Sequence, residues 1–221
     1  MLKRYKNSGF SVMEMLVSLV AGLVVVAGAI SLFTTVMVSG NTTLMLSRVN
    51  QDVQSITDIM VRDIQRAGYH PSAAADMAPG TPSSSAKSTK YQFSTTADLY
   101  TASGATAPGC IRIKYWDPNP PSGAGSVVRI YGYDAANKAL KVSTSYTEPT
   151  SSALGSSDCS GGSKLISEKE VLIDNLSFAL ASGSSATGMR AIDLAISASH
   201  ATRPALAMSL QRQIKLRNDG Y

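Results

Sequence analysis

The feature that most constrains this chain is an almost unbroken apolar run from Met15 to Ile30, continuing to Val38, set just behind a basic N-terminus. Counted from Phe10, the stretch exceeds the roughly 20 residues an α-helix needs to cross a bilayer's hydrocarbon core, so it predicts a membrane-spanning helix. Lys3, Arg4 and Lys6 precede it with no acid among them. The positive-inside rule keeps that end cytoplasmic and sends everything after Val38 across the membrane. A secretory signal has a shorter apolar core followed by a small-residue cleavage site, whereas this run leads straight into a second helical pattern. Glu14 stands at the start of the span, where a carboxylate costs up to roughly 2.5–3.5 kcal/mol at full depth. Such a group has a partner or a task, unless it rests solvated among the headgroups.

After Gly40 the pattern turns one-sided. Leu46, Val49, Val53, Ile56, Met60 and Ile64 recur at three- and four-residue steps, while Asn50, Asp52, Gln54, Asp58, Arg62 and Asp63 are assigned to the other face. The spacing predicts an amphipathic helix that stops at Arg66, with Gly68 as C-cap and Pro71 beyond. Residues 72–90, rich in Ser, Ala, Pro and Thr, read as a surface loop.

The remaining chain alternates apolar positions in short runs, as half-buried strands require. The clearest are Ile111, Ile113 and Tyr115; Val128 and Ile130; Leu140 and Val142; Leu176, Phe178 and Leu180; Ile192, Leu194 and Ile196; and Met208, Leu210, Ile214 and Leu216. Asp134 to Asn137 closes a hairpin between the second and third of these runs. A mainly antiparallel sheet follows, and the amphipathic half of the helix is the element available to cover it. The expected class is α+β: a long transmembrane-plus-amphipathic helix on an antiparallel sheet. At 221 residues there is no room for a second large domain.

The formal charge of +5 looks like an invitation to an anionic partner, but removing residues 1–9 leaves +2, too little to argue for nucleic acid. Arg112, Lys114 and Arg129 are the positions that would touch DNA phosphates from the sheet face opposite the helix, with a solvated strand face as the commoner explanation. Trp116, Tyr115, Tyr131 and Tyr133 form either an exposed aromatic patch for a partner or part of the sheet core. Cys110 and Cys159 lack metal or redox spacing. In an exported domain their simplest reading is one disulfide, with two buried free thiols as the alternative. The two histidines, His70 and His200, have no metal-ligand pattern around them and read as surface or turn residues. No nucleophile elbow or dinucleotide loop is present, so neither a catalytic residue nor a cofactor is expected.

Gly9, Phe10, Glu14 as the fifth residue after the glycine, and a long apolar helix behind a short basic leader together resemble the signal of type IV prepilins. The ending of the helix at Arg66-Ala-Gly-Tyr69 and the closing Leu216-Arg217-Asn218 resemble PilW-type minor pilins, the latter also J-type pseudopilins of type II secretion. The resemblance implies a leader of residues 1–9, a filament-core segment over 10–38, an amphipathic segment over 39–68 and an extracytoplasmic domain over 69–221. It implies that a prepilin peptidase cuts after Gly9 and methylates Phe10. It also implies that Glu14 pairs with the N-terminal amine of a neighbouring subunit as the helix leaves the inner membrane for the filament. The partners implied are that peptidase, other minor and major pilins and the inner membrane; the place implied is the membrane first, then a pilus at the cell surface. A structural role, with no enzymatic activity, goes with it.

Overall fold

The computed structural model describes residues 9, 11–76, 87–121, 123, 125–181 and 190–217. Helix α1 runs from Val12 to Arg66, and the chain divides into two compact units at Met45/Leu46.

In the first unit every described residue of the apolar run is exposed, from Val12 to Val38. The helix is long and apolar enough to cross a membrane. Its hydroxyls bond back within the helix: Ser18 to the Glu14 carbonyl at 2.7 Å, Thr34 to Ile30 at 3.0 Å and Thr35 to Ser31 at 2.9 Å. Such back-bonding leaves no hydroxyl proton seeking water, which suits a hydrocarbon environment. Gly22 and Gly28 have open space around them.

In the second unit the buried stripe of α1 comprises Val49, Val53, Ile56, Thr57, Met60, Asp63 and Ile64. Leu46 lies outside that stripe and is exposed, because it falls where the protein core has not yet begun. The helix ends as its sequence directs: Gly68 adopts φ +79°, and its N–H donates to the Lys114 carbonyl at 2.9 Å, tying the cap to a strand. Within 72–90 the described residues form a short helix α2, Ala73–Asp76, and a 3₁₀ turn, Lys87–Tyr91.

The strands divide between two sheets, where the sequence predicted one. β1 (Leu99–Tyr100), β2 (Cys110–Trp116), β3 (Ser126–Asp134), β4 (Ala139–Ser145) and β5 (Ser163–Lys164) form the first, in that order. Between β4 and β5 sits a one-turn helix, α3, Ser156–Ser160. β6 (Val171–Leu180), β7 (Ala191–His200) and β8 (Arg203–Lys215) form the second. All pairings are antiparallel. The β3–β4 hairpin turns at Asp134, whose carboxylate accepts from the Asn137 backbone N–H at 3.2 Å and side-chain N–H at 2.9 Å. The edge strand β6 of the second sheet meets the first sheet near the starts of β2 and β4, without a common ladder: Ile173 N–H donates to the Lys138 carbonyl and Phe178 N–H to that of Pro108, each at 2.8 Å.

One core joins the α1 stripe to both sheets, with Ile111, Ile113, Tyr115, Val127, Tyr131 and Leu140 from the first and Phe178, Ile192, Leu194, Ile196 and Ile214 from the second. The aromatic alternatives thus resolve toward core for Tyr115 and Tyr131, both buried. On β3 the helix-facing positions are Val127, Arg129 and Tyr131, and Val128 and Ile130 point the other way. Ile130 instead packs in a second, smaller cluster with Cys110, Leu154, Cys159 and Tyr100.

Candidate functional site

Glu14 lies in the first turn of α1, exposed like everything around it. Among the described residues its carboxylate meets no donor or cation, in contrast to the hydroxyls along the same helix. Gly9 is exposed, and among the described residues nothing lies within 4 Å of where a Cβ would stand. Phe10 lies outside the described residues.

The domain's charged residues are arranged otherwise than the sequence suggested. Arg112 and Lys114, expected on a solvated strand face, are both buried. The Arg112 Nε donates to Asp98 Oδ1 at 2.6 Å, its Nη2 donates to the Ser152 carbonyl at 2.7 Å, and the Lys114 Nζ lies 2.8 Å from Asp98 Oδ2. They do project from the sheet face opposite the helix, but the segment carrying Asp98 and the loop carrying Ser152 cover that face. Arg129 points to the opposite side, toward α1. These three residues therefore offer no common surface to DNA.

Arg129 answers to Asp63, which the sequence placed on the polar face of the helix and the structure places in the core. Its Nη1 donates to Asp63 Oδ2 at 2.6 Å, and the Tyr131 hydroxyl donates to the same oxygen. Burial works most strongly against the Arg129 charge, but the hydrogen bond to Asp63, the Asp63 charge and the nearby Tyr115 and Tyr131 phenols together outweigh it and hold the guanidinium above its ordinary pKa. Burial first, and the bond to Asp63 second, push the Tyr131 phenol well above its usual value. Helical spacing held the signal for Asp63: it falls three residues after Met60 and four before Ala67, both buried. Polarity alone assigned it to the wrong face.

The Cys110 and Cys159 sulfurs are bonded to each other, joining the start of β2 to α3. For α3 to lie on the sheet, β3 needs Gly132, since a Cβ there would stand 2.0 Å from the Cys159 carbonyl oxygen. His70, read as a surface or turn residue, is buried beside the rings of Tyr91 and Trp116, at centroid distances of 4.8 and 5.3 Å. His200 is half-buried at the end of β7, where Nδ1 accepts from the Thr202 N–H at 3.2 Å. Among the described residues no group of three or more His, Cys, Asp or Glu could hold a metal ion.

A family model described as prepilin peptidase-dependent protein B matches residues 42–216, well over half of the chain. The chain belongs to that family. No curated protein and no solved structure matches it. The matched span begins just past the apolar run and covers the amphipathic stripe of α1 and both sheets. The family likeness therefore rests on the domain, independently of the Gly9 to Glu14 motif, and places the chain among type IV pilin-related proteins.

Proposed function

We propose that this chain is a minor pilin, an inner-membrane-anchored subunit that helps to start or tip a type IV pilus-like filament. In this reading the prepilin peptidase removes residues 1–9 by cutting after Gly9 and methylates the new amine on Phe10. The apolar half of α1 holds the subunit in the inner membrane with its N-terminus cytoplasmic, and the domain faces the periplasm. Other minor and major pilins are its neighbours once it leaves the bilayer for the cell surface.

The observation that carries this reading is Glu14: an acid bonded to nothing among the described residues, at the head of a helix long and apolar enough to span a membrane, in a chain whose domain belongs to a prepilin peptidase-dependent family. A carboxylate left alone in that setting is expensive. A neighbour's N-terminal amine offsets the cost, because a close acid–amine pair in a dry environment compensates the desolvation of both charges. One subunit's position 14 beside the next subunit's position 10 also fixes their axial stagger.

The test compares Gly9→Ala and Glu14→Ala chains in cells that form the filament, with mass spectrometry of the mature terminus. N-methylphenylalanine at position 10 is expected in the parent. Gly9→Ala should remain unprocessed, and Glu14→Ala should be processed but stay in the membrane. Normal assembly by both variants would overturn the proposal.

A further inference from the structure

Where α3 lies on the first sheet, a niche of about 520 Å³ opens between the start of β2, the β3–β4 hairpin, α3 and the edge of β6. That volume falls within the roughly 300–1,000 Å³ of small-ligand sites. Nothing in the filament reading uses it.

The walls of the niche are fixed before any ligand arrives. The Cys110–Cys159 bond holds α3 to β2, and both cysteines are on the lining. The Tyr133 hydroxyl donates to the Asp174 carbonyl at 2.8 Å, and the Tyr133 N–H donates to the Gly109 carbonyl at 2.9 Å, so its ring is held from two sides. Asn175, Leu176 and Ser177 form the β6 wall, and β6 is bonded to the first sheet on either side of them, at Ile173 and Phe178. A site built in advance loses less freedom when it binds.

The chemistry of the lining narrows what fits. Asp134 is the charged residue among those that line it, and its carboxylate is held by the Lys141 Nζ at 2.8 Å and the Asn137 amide at 2.9 Å. Neighbouring Lys138 is paired with Asp174. A phosphate or carboxylate therefore finds no waiting cation. The polar groups left over are neutral: among the described residues the side chains of Tyr100, Thr106, Ser156, Asn175 and Ser177 make no hydrogen bond. Hydroxyls donate and accept, and an amide presents two donors beside an acceptor. Tyr100 and Tyr133, both half-buried, add aromatic surface.

A pyranose answers to both halves of this lining, since hydroxyls surround its rim and polarised C–H bonds cover its faces, where the negative face of an aromatic ring attracts them. A peptide adding a strand to β6 needs a long open edge. The bonds at Ile173 and Phe178 close that edge at both ends of the niche.

We propose that this niche binds a neutral saccharide of one or two rings, with Asn175 and Tyr100 hydrogen-bonding its hydroxyls and the Tyr133 ring packing on a C–H face. This site depends on no part of α1 and goes beyond the filament reading.

The experiment uses the full chain in a zwitterionic detergent, which carries no sugar. Glucose, galactose, mannose, N-acetylglucosamine, lactose, maltose and chitobiose are offered in turn, and saturation-transfer NMR with aromatic irradiation reads the contact. At least one should bind with Kd of about 1 mM or tighter and receive saturation mainly on the C–H bonds of one ring face. Asn175→Ala should weaken binding about tenfold, and Tyr100→Phe several-fold, each with the urea midpoint of the parent. Asn175 is exposed and Tyr100→Phe keeps the ring, so both variants test the site without emptying a core. Binding kept when the same unit ends a longer glycan identifies a glycan tip as the source, and binding lost identifies the free sugar; either supports the niche. No binding by any of the seven, binding indifferent to both substitutions, or binding of glucuronate or inorganic phosphate in their place overturns the proposal.

Discussion

Removing the Arg129 guanidinium strands the carboxylate on α1, and the cost follows from how differently the two partners see water. The Asp63 side chain is 5% exposed and that of Arg129 32%. In Arg129→Ala the Asp63 charge stays in the core with only the Tyr131 hydroxyl still donating to it, which should cost about 3–5 kcal/mol. In Asp63→Asn the surviving guanidinium reaches solvent, so the loss should be about 1–2 kcal/mol, between the buried and surface ranges. At about 2–4 °C per kcal/mol for a domain of this size, Arg129→Ala should lower Tm by roughly 6–20 °C and Asp63→Asn by roughly 2–8 °C. The double variant should lose less than the sum by at least about 1 kcal/mol, since no charge is left stranded. Thermal unfolding of the detergent-solubilised chain, followed by fluorescence of Trp116, the single tryptophan, measures all three. An Arg129→Ala chain as stable as Asp63→Asn, or strictly additive losses, would refute the reasoning.

Three further outcomes are expected. Reducing the Cys110–Cys159 bond, which closes a sequence separation of 49, should destabilise the domain by about 4 kcal/mol in the chain-entropy account, read as a lowered urea midpoint. Gly132→Ala should cost about 1–3 kcal/mol and speed reduction of the disulfide by thiols, because the new methyl pushes the Cys159 carbonyl off the sheet. On the acid side, hydrogen bonds from Lys141 and then Asn137 hold the Asp134 carboxyl far below its ordinary value. At Asp174, burial pulls upward, but bonds from Lys138 and Ser199 still leave it lowered. Groups depressed on folding contribute stability above their unfolded pKa of about 4 and lose it as pH falls through the folded value. Unfolding midpoints should therefore decline below about pH 4, and Asp134→Asn should flatten that decline.

Much of this architecture is written in local pattern. An apolar run long enough to span a membrane, the three- and four-residue steps from Val49 to Ile64, the Gly68 stop and the alternation along β2, β4, β6 and β7 depend only on residues near one another in the chain. Glu14 is conspicuous for the same reason, since a single acid at the head of an apolar run needs no fold to be noticed. The family match rests on the other part of the chain, from residue 42 onward.

Tertiary structure decided what local pattern leaves open, namely what covers each face. Alternation marks β2 and β3 as strands, but only the loop carrying Asp98 and the disulfide-held α3 turn the second face of that sheet into an interior, burying Arg112 and Lys114 and half-burying Ile130. Asp63 looks like a solvent residue until Arg129 and Tyr131 arrive from β3 to compensate its charge. The separation of β6 to β8 into their own sheet, and the meeting of Asn175 with Tyr100 and Tyr133 around one niche, depend on segments far apart in the chain. Periodicity reports which side of a segment is apolar, whereas the burial of a charge depends on a partner that only the folded chain supplies.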